Sequence, residues 1–440
     1  MIHKIDFYIP LKMSNSLTIL EKILDNFLKN KEKLFLLTGK AGSGKTTSIS
    51  NFLLRSGISP DDIAILTPTH KAKQVIRKKT NNVFQYYTIH KFLGYSRSVD
   101  ETGKIRFKIS KTFDDNKIPK IIAIDECSMI NKYSFFKLID KINSIKAKAI
   151  FMGDDNQLPP IGEEMSVSFD IENYYHLHES LRNNGQVYNL CEYIIDNLDE
   201  DVLDIKQFDN ENDVNIYGNI IEYTDELLDH KDKDYKILCW TNARCQAMNL
   251  LMRKKIYGYD ADKFCKNERL IVTNYFQSPG GEPYPSNSEF IVDEVTKDKI
   301  DLKTLEFIPS KFIPNDITHL DVYTLQIQDD DKIMSVLDKD KDKVKMILDN
   351  IKLEALKMNM NNRKIDAILL WELYYTVKDT LTPPIDYSYA ITVHRSQGSE
   401  WDFIFVDMKD IYKNTNIIER NKLFYVAFTR TMKKLFLNYG

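Results

Sequence analysis

The sequence is poor in the residues that mark several protein classes. It has five cysteines (Cys127, Cys191, Cys239, Cys245, Cys265), an odd number with no CxxC pair. That excludes a secreted disulfide scaffold and points to reduced intracellular thiols. Glycine (15) and proline (13) are sparse, so linkers are short or charged rather than Gly/Ser-rich. No run approaches the roughly 18 apolar residues of a membrane span. Met1 to Leu11 lacks the apolar core and cleavage site of a signal peptide. The expectation is a soluble, intracellular protein of cytoplasm or nucleus, with no membrane partner. Neither sign of charge dominates: 61 basic and 64 acidic residues leave a net charge of −3. This balance neither supports nor excludes a nucleic-acid partner, because a near-neutral chain can carry a basic groove. No repeat of fixed period is present, and the eight histidines show no metal-ligand spacing.

What is present is a recurring pattern. With 440 residues, two to four domains are expected. Leu17, Leu20, Leu24, Phe27 and Leu28 define one face of a first helix over Ser16 to Lys29. Short apolar runs then alternate with polar turns and helical stretches: Leu34 to Leu37, Ile63 to Leu66, Ile121 to Ile124 and Ala149 to Met152. After a break come Ile237 to Trp240, Phe403 to Val406 and Leu435 to Leu437. Continuous apolar runs between helices read as parallel strands buried on both faces. Two clusters predict two α/β domains. Asp196 to Asp213, acidic and poor in apolar residues, reads as a surface loop between them. Asn274 to Pro285, with its Gly and Pro residues, is a loop signal, and the charge run Asp329 to Lys345 reads as a solvated face.

One loop carries chemistry. Gly39-Lys40-Ala41-Gly42-Ser43-Gly44-Lys45-Thr46 follows the strand Leu34 to Leu37 and precedes a helical stretch, Thr47 to Leu54. This is GxxxxGK[ST] in its strand–loop–helix setting, which binds nucleoside polyphosphate through backbone amides and a helix N-terminus. Gly39, Ala41, Gly42, Ser43, Gly44, Lys45, Thr46 and Thr47 form the ATP-binding set. Lys45 bridges the β- and γ-phosphates, and Thr46 holds Mg2+. Asp125-Glu126 closes the apolar run Ile121 to Ile124. Asp125 is the metal-side acid, and Glu126 is placed to deprotonate the attacking water.

Those two motifs are shared by many NTPases; six further segments narrow the class. Asp125-Glu126-Cys127-Ser128-Met129 resembles motif II of superfamily 1 helicases, and Gly153-Asp154-Asp155-Asn156-Gln157-Leu158-Pro159-Pro160 resembles motif III. Thr67-Pro68-Thr69-His70-Lys71-Ala72 resembles motif Ia and Thr88-Ile89-His90-Lys91-Phe92 motif Ib. Glu179-Ser180-Leu181-Arg182 resembles motif IV, Thr392 to Glu400 motif V, and Leu423 to Arg430 motif VI. With the phosphate loop, eight motifs stand in family order from Gly39 to Arg430. Their forms are similar to the RecD-like and Dda-like branch, superfamily 1B.

The resemblance implies an α/β fold of two RecA-like P-loop NTPase domains with ATP in the cleft between them. Residues 1–185 form the first, with a β-hairpin insertion over 96–120. Residues 186–440 form the second, with a small β-rich, SH3-like insertion over 285–382. Gln157 then senses the γ-phosphate, while Arg182 and Arg430 neutralise transition-state charge. Glu400 either contacts the ribose or is a surface acid. Family members carry an adenine-reading glutamine in the first helix where this chain has Glu21, so base selectivity stays open.

Single strands are held by basic and hydroxyl groups on phosphates and by aromatic faces on bases. The candidates are Thr67, Pro68, His70, Lys71, Thr88, His90 and Lys91 in the first domain, and Thr241, Asn242, Thr392, His394 and Arg395 in the second. Most follow an apolar run and so line one edge of a sheet. Ile105-Arg106-Phe107-Lys108-Ile109 alternates as a β-hairpin strand. In Dda-like enzymes this insertion is a pin that splits the duplex, and Phe107 either stacks on bases or packs the hairpin onto its domain. Phe290 to Val292 and Val322 to Leu325 suit the β-rich insertion; Lys343 to Met360 reads as a helix.

The reading is therefore an ATP- and Mg2+-dependent DNA helicase of replication, repair or recombination. It acts on single-stranded DNA and tailed duplex DNA, and the resemblance implies 5′ to 3′ movement. A single-strand-binding or replication protein is a candidate partner. An RNA helicase, or a partner-dependent translocase that unwinds little alone, remains open. The Lys-, Ile- and Asn-rich composition suits an A+T-rich genome, and the compact layout suits a virus or phage.

Overall fold

Each apolar run becomes a parallel strand, and the order of those strands sets the architecture. The computed structural model describes residues 15–109, 118–178, 185–210, 212–218, 220–277, 283–328 and 333–439. The chain divides into two compact units: Met1–Leu93 with Asp114–Ile195, and Gly94–Phe113 with Asp196–Gly440.

In the first unit, α1 (Asn15–Lys29) precedes β1 (Leu34–Gly39), and the phosphate loop leads into α2 (Lys45–Arg55). There follow β2 (Ile63–Thr67), α3 (His70–Lys79), β3 (Gln85–Thr88) and the short α4 (Ile89–Phe92). After the excursion to the other unit come β6 (Ile121–Ile124), α5 (Lys132–Ser144), β7 (Lys148–Gly153), β8 (Tyr174–Leu177) and α6 (Gln186–Asp196). The strands form a six-stranded parallel sheet in the order β3-β2-β6-β7-β1-β8. Alternate residues (Phe35 and Leu37, Ile63 and Ile65, Ile121 and Ala123, Ile150 and Met152) share one core with Leu17, Leu20, Leu24 and Phe27 of α1 and Ile49, Phe52 and Leu53 of α2. A pleated strand sends every second side chain to one face. Each large apolar side chain so buried contributes about 1.5–3 kcal/mol.

The second unit takes in the hairpin β4 (Tyr95–Val99) and β5 (Ile105–Ile109). Its RecA-like part holds β9 (Val214–Tyr217), α7 (Ile220–Asp229), β10 (Tyr235–Cys239), α8 (Asn242–Tyr257), β18 (Ala390–Thr392), α11 (Val393–Ser396), β19 (Trp401–Asp407), α12 (Met408–Ile411), α13 (Ile417–Phe428) and β20 (Thr431–Asn438). These strands form a parallel sheet ordered β18-β10-β19-β20-β9. Between β11 (Arg269–Val272) and β17 (Ile385–Tyr387) lie β12 (Phe276–Gln277), β13 (Pro283–Tyr284), β14 (Glu289–Asp301), β15 (His319–Ile327), β16 (Ile333–Leu337), α9 (Lys341–Met360) and α10 (Lys364–Leu381). The antiparallel sheet β16-β15-β14-β11-β17 packs Val322, Leu320 and Leu337 against Val344, Ile347 and Ile351 of α9 and Val377 and Leu381 of α10.

Four expectations change. The hairpin expected within the first domain clusters with the second unit, because its turn docks on α10; residues 110–117 of the expected 96–120 insertion lie outside the described residues. The inserted sheet is wider than 285–382, since β11 and β17 belong to it. The insertion carries a helical hairpin, α9 with α10, where one helix was expected. Asp196 to Asp213 is more than a surface loop: Leu203 and Ile205 are fully buried, and Arg420 and Asn421 of α13 bind its carbonyls and Asp201.

Candidate nucleotide and nucleic-acid site

β1 ends at Gly39, and the loop turns into α2 through Gly44, whose φ of 81° is left-handed backbone that glycine adopts without a Cβ penalty. The Lys45 ammonium lies inside the loop. It donates to the carbonyls of Gly39 (2.5 Å) and Lys40 (2.9 Å) and to the Ser43 hydroxyl (3.5 Å). Ala41, Gly42 and Thr47 are half-buried around it. The Thr46 hydroxyl donates to an Asp125 carboxylate oxygen at 2.9 Å. Desolvation pushes the Asp125 carboxyl above its usual range, opposed by the Thr46 hydroxyl, the Glu126 amide and the Lys45 charge. A hydroxyl beside a carboxylate is a hard oxygen pair, the donor type that suits Mg2+.

Glu126 follows at φ 53°, ψ 44°, an uncommon conformation for a side chain of its size. Its amide donates to Asp125 at 3.0 Å. Cys127 is buried directly behind it. At Gly153, which ends β7, an added Cβ would meet the Cys127 sulfur at 2.5 Å, so the glycine lets motif III lie against motif II. Asp154 is fully buried, and Gln157 is buried with no hydrogen-bond partner for its amide oxygen among the described residues. An unpaired buried polar oxygen costs about 1–3 kcal/mol, so Gln157 is open to a donor beyond the described residues. Lys40 pairs with Glu192 of α6 at 2.5 Å. Glu21 pairs with Arg55 of α2, an ordinary surface role.

At the same edge of the first sheet, Thr67 is buried and its hydroxyl donates to the Thr69 carbonyl at 2.9 Å. Pro68 and Lys71 are half-buried. His70 opens α3. Burial, then the charges of Lys73, Lys91 and His90, lower its pKa to about 4. Desolvation also lowers His90. Motifs Ia and Ib are thus brought together as one basic group. Thr88 caps α4, accepting from the Lys91 amide at 3.3 Å.

In the second unit Thr392 caps α11, accepting from the Arg395 amide at 3.4 Å. Arg395 and His394 are half-buried, with burial lowering the His394 pKa. Thr241, expected to contact nucleic acid, also braces its own strand end. Its hydroxyl accepts from the Arg244 amide and donates to buried Asp410, which also takes the amides of Trp240 and Thr241. Asn242 beside it is exposed. The Arg430 guanidinium is buried, bonding only to the Val426 and Ser399 carbonyls and the Thr429 hydroxyl. Among the described residues no carboxylate pairs with it. A buried cation held by two carbonyls and a hydroxyl favours an anionic ligand. Glu400 is half-buried just before β19. Arg182 and the rest of its motif lie outside the described residues.

The hairpin turn rests on α10. The Tyr375 hydroxyl donates to the Gly103 carbonyl at 2.9 Å, Arg97 pairs with Asp379 at 3.1 Å, and Val99 packs with Ala355 and Trp371. Phe107 is 65% exposed.

Comparison with known proteins points to the family. A model described as an AAA domain matches residues 25–163, and one described as a UvrD-like helicase C-terminal domain matches residues 387–438. An uncharacterized protein of Acanthamoeba polyphaga mimivirus is 29% identical, over 94% of this chain and 97% of its own length. The ATP-dependent DNA helicase dda of Enterobacteria phage T4 is 22% identical over 92% and 94%. These matches support a superfamily 1B helicase of the RecD, Dda and Pif1 type. As such a helicase it is an ATP hydrolase. Its fold matches that of Pif1 helicases solved at forked double-stranded DNA, with a TM-score of 0.53 at 15% identity over 98% of this chain and 92% of theirs. A Bacteroides Pif1 bound to ssDNA gives 0.50, also at 15%, over 98% and 92%. An uncharacterized Methanocaldococcus jannaschii protein is 24% identical over 95% of this helicase, which spans 38% of that longer chain.

Sequence reasoning missed Asp410, the Arg244–Asp407 pair beside it (2.5 Å) and the Gly153–Cys127 approach. The acids stand in Asp407-Met408-Lys409-Asp410 directly after a predicted strand, which was the one available signal.

Proposed function

We propose that the chain is an ATP-dependent DNA helicase that moves 5′ to 3′ along single-stranded DNA and opens tailed duplexes. The observation that carries the catalytic part is the cluster of Lys45, Thr46 and Asp125, with Glu126 next in line and Gln157 left one partner short. The loop amides from Gly39 to Thr47 bind the polyphosphate. Lys45 leaves the carbonyls of Gly39 and Lys40 for the β- and γ-phosphates. Thr46 and Asp125 would hold Mg2+, which would supply charge neutralisation at the phosphates. Glu126 accepts the proton of the attacking water; the Gln157 amide oxygen accepts from that water, and its NH2 group donates to the γ-phosphate. Arg430, with Arg182, supplies positive charge as the leaving group departs.

DNA as the track is supported by the relatives named for it: the phage T4 protein is a DNA helicase, and Pif1 structures hold ssDNA and forked DNA. The basic group of His70, Lys71, His90 and Lys91, with Asn242, His394 and Arg395, is the phosphate-binding set. Phe107 is the exposed apolar face presented to bases. Relatives in a mimivirus and a phage support a viral source. Service in replication, repair or recombination, and help from a single-strand-binding protein, follow from the helicase class.

The test is ATP hydrolysis titrated with matched single-stranded DNA and RNA. Stimulation at lower DNA than RNA concentration is expected. Equal or RNA-favoured stimulation would overturn the DNA assignment, and no stimulation by either would overturn the motor.

A further inference from the structure

The helix α9 is apolar on both sides. Its inner side, Val344, Ile347, Ile351 and Ala355, is buried against the inserted sheet, α10 and the hairpin. A surface helix turns polar residues outward, yet on the outer side Met346, Leu353, Leu356 and Met360 are 48, 56, 38 and 86% exposed. Ile365 and Leu369, at the start of α10, are exposed as well. Single exposed apolar residues need no explanation, but a continuous group does.

The spacing is informative. Met346, Leu353 and Met360 recur every seven residues, and Leu356 stands three after Leu353. These are the a and d positions of a heptad seam, with Asp349 at the remaining d. Knobs in such a seam fit the holes of another helix rather than a flat surface. The flanking g and e positions are Lys345, Asn350, Lys352, Lys357 and Asn359, with the three lysines exposed and no acid among them. Lys357 has a weak partner in Glu354 of its own helix, at 3.7 Å. Lys345 and Lys352 pair with no carboxylate among the described residues. Residues flanking a seam choose the partner by charge. A second copy of this chain would set lysine against lysine.

We propose that the outer face of α9 is a docking surface for an acidic amphipathic helix of a partner protein. The seam from Met346 to Met360 runs about 21 Å at 1.5 Å per residue, the length of a two-heptad helix. The occupied helix carries apolar residues in its own seam and Glu or Asp at its flanks.

The experiment uses the full chain and two labelled synthetic helices of three heptads, both with leucine at a and d. One has glutamate at e and g, the other lysine, and binding is read by fluorescence anisotropy. The glutamate peptide is expected to bind at least tenfold more tightly than the lysine peptide. The double variant Leu353→Glu, Leu356→Glu should lose that binding with ssDNA-stimulated ATP hydrolysis unchanged. The double variant Lys345→Glu, Lys352→Glu should reverse the preference. Equal binding of the two peptides, no binding of either, or a preference the lysine variant does not reverse would overturn the proposal. So would a dimer of the full chain by light scattering that the leucine variant dissolves, because the occupant would then be a second copy.

Discussion

Replacing Gly103 by alanine tests whether the hairpin's grip on α10 matters for strand separation. Gly103 stands at φ +85°, and an added Cβ would lie 2.6 Å from the Trp371 ring. The left-handed backbone costs an alanine about 1–2 kcal/mol, and overpacking a buried ring adds about 1–3 kcal/mol. Against this stand three attachments. The Tyr375 hydrogen bond is worth about 0.5–1.5 kcal/mol. The burial of Val99 against Ala355 and Trp371 contributes about 1.5–3 kcal/mol. The partly exposed Arg97–Asp379 pair adds about 1 kcal/mol or less. The penalty and the grip are of similar size, so the hairpin should leave α10 while the sheets, which do not depend on it, stay folded. Acrylamide quenching should show Trp371, buried in the parent, becoming accessible. Unwinding of a tailed duplex should fall about tenfold, the effect of roughly 1.4 kcal/mol lost from productive geometry, with ssDNA-stimulated hydrolysis within about twofold of the parent. Tyr375→Phe, losing only the hydrogen bond, should sit between the two. Unwinding that survives with the hairpin released would refute the reasoning; equal loss of unwinding and hydrolysis would place the damage in the motor.

Three further outcomes are expected. Arg430→Gln should lower kcat for ATP by about 100- to 1000-fold with KM nearly unchanged; a raised KM at normal kcat would make Arg430 a ground-state binder, and circular dichroism checks the fold. Phe107→Ala should cut unwinding more than hydrolysis, and parallel loss would remove it from strand separation. His70 has a folded pKa of about 4 against 6.5 unfolded, so the unfolded chain binds more protons between those values. Its contribution is full above pH 6.5 and is lost as pH falls toward 4; His90, His176 and His394, also lowered, act in the same direction. Denaturant midpoints should fall across that window, less steeply in His70→Gln, and an unchanged slope in that variant would contradict the burial of His70.

The parallel sheets were legible because strands buried on both faces are written as unbroken apolar runs. Ile121 to Ile124 is a strand over that very span, while the run Ile237 to Trp240 becomes a strand Tyr235–Cys239, two residues longer at its start and ending before Trp240, whose amide turns away to Asp410. The phosphate loop was legible because its chemistry fixes both residue types and spacing. The hairpin's attachment was not. Gly103 and Trp371 lie far apart in sequence, and neither names its partner. The helix α10 escaped notice because its apolar residues fall on several sides, Trp371 facing the hairpin while Val377 and Leu381 face the sheet. The breadth of the inserted sheet was hidden in strands as short as Ile385–Tyr387. The bracing of Thr241 was not legible because a strand-end threonine looks alike whether it faces a ligand or caps its own helix; the buried Asp410 that holds it is far away in sequence.

The most direct test of the account is ATP-driven opening of two duplexes that differ only in carrying a 5′ or a 3′ single-stranded tail, with Lys45→Ala as control. The account predicts opening of the 5′-tailed duplex alone, abolished by the substitution. Opening of the 3′-tailed duplex alone would contradict the direction of movement, and opening that persists in Lys45→Ala would contradict the ATP-driven motor itself.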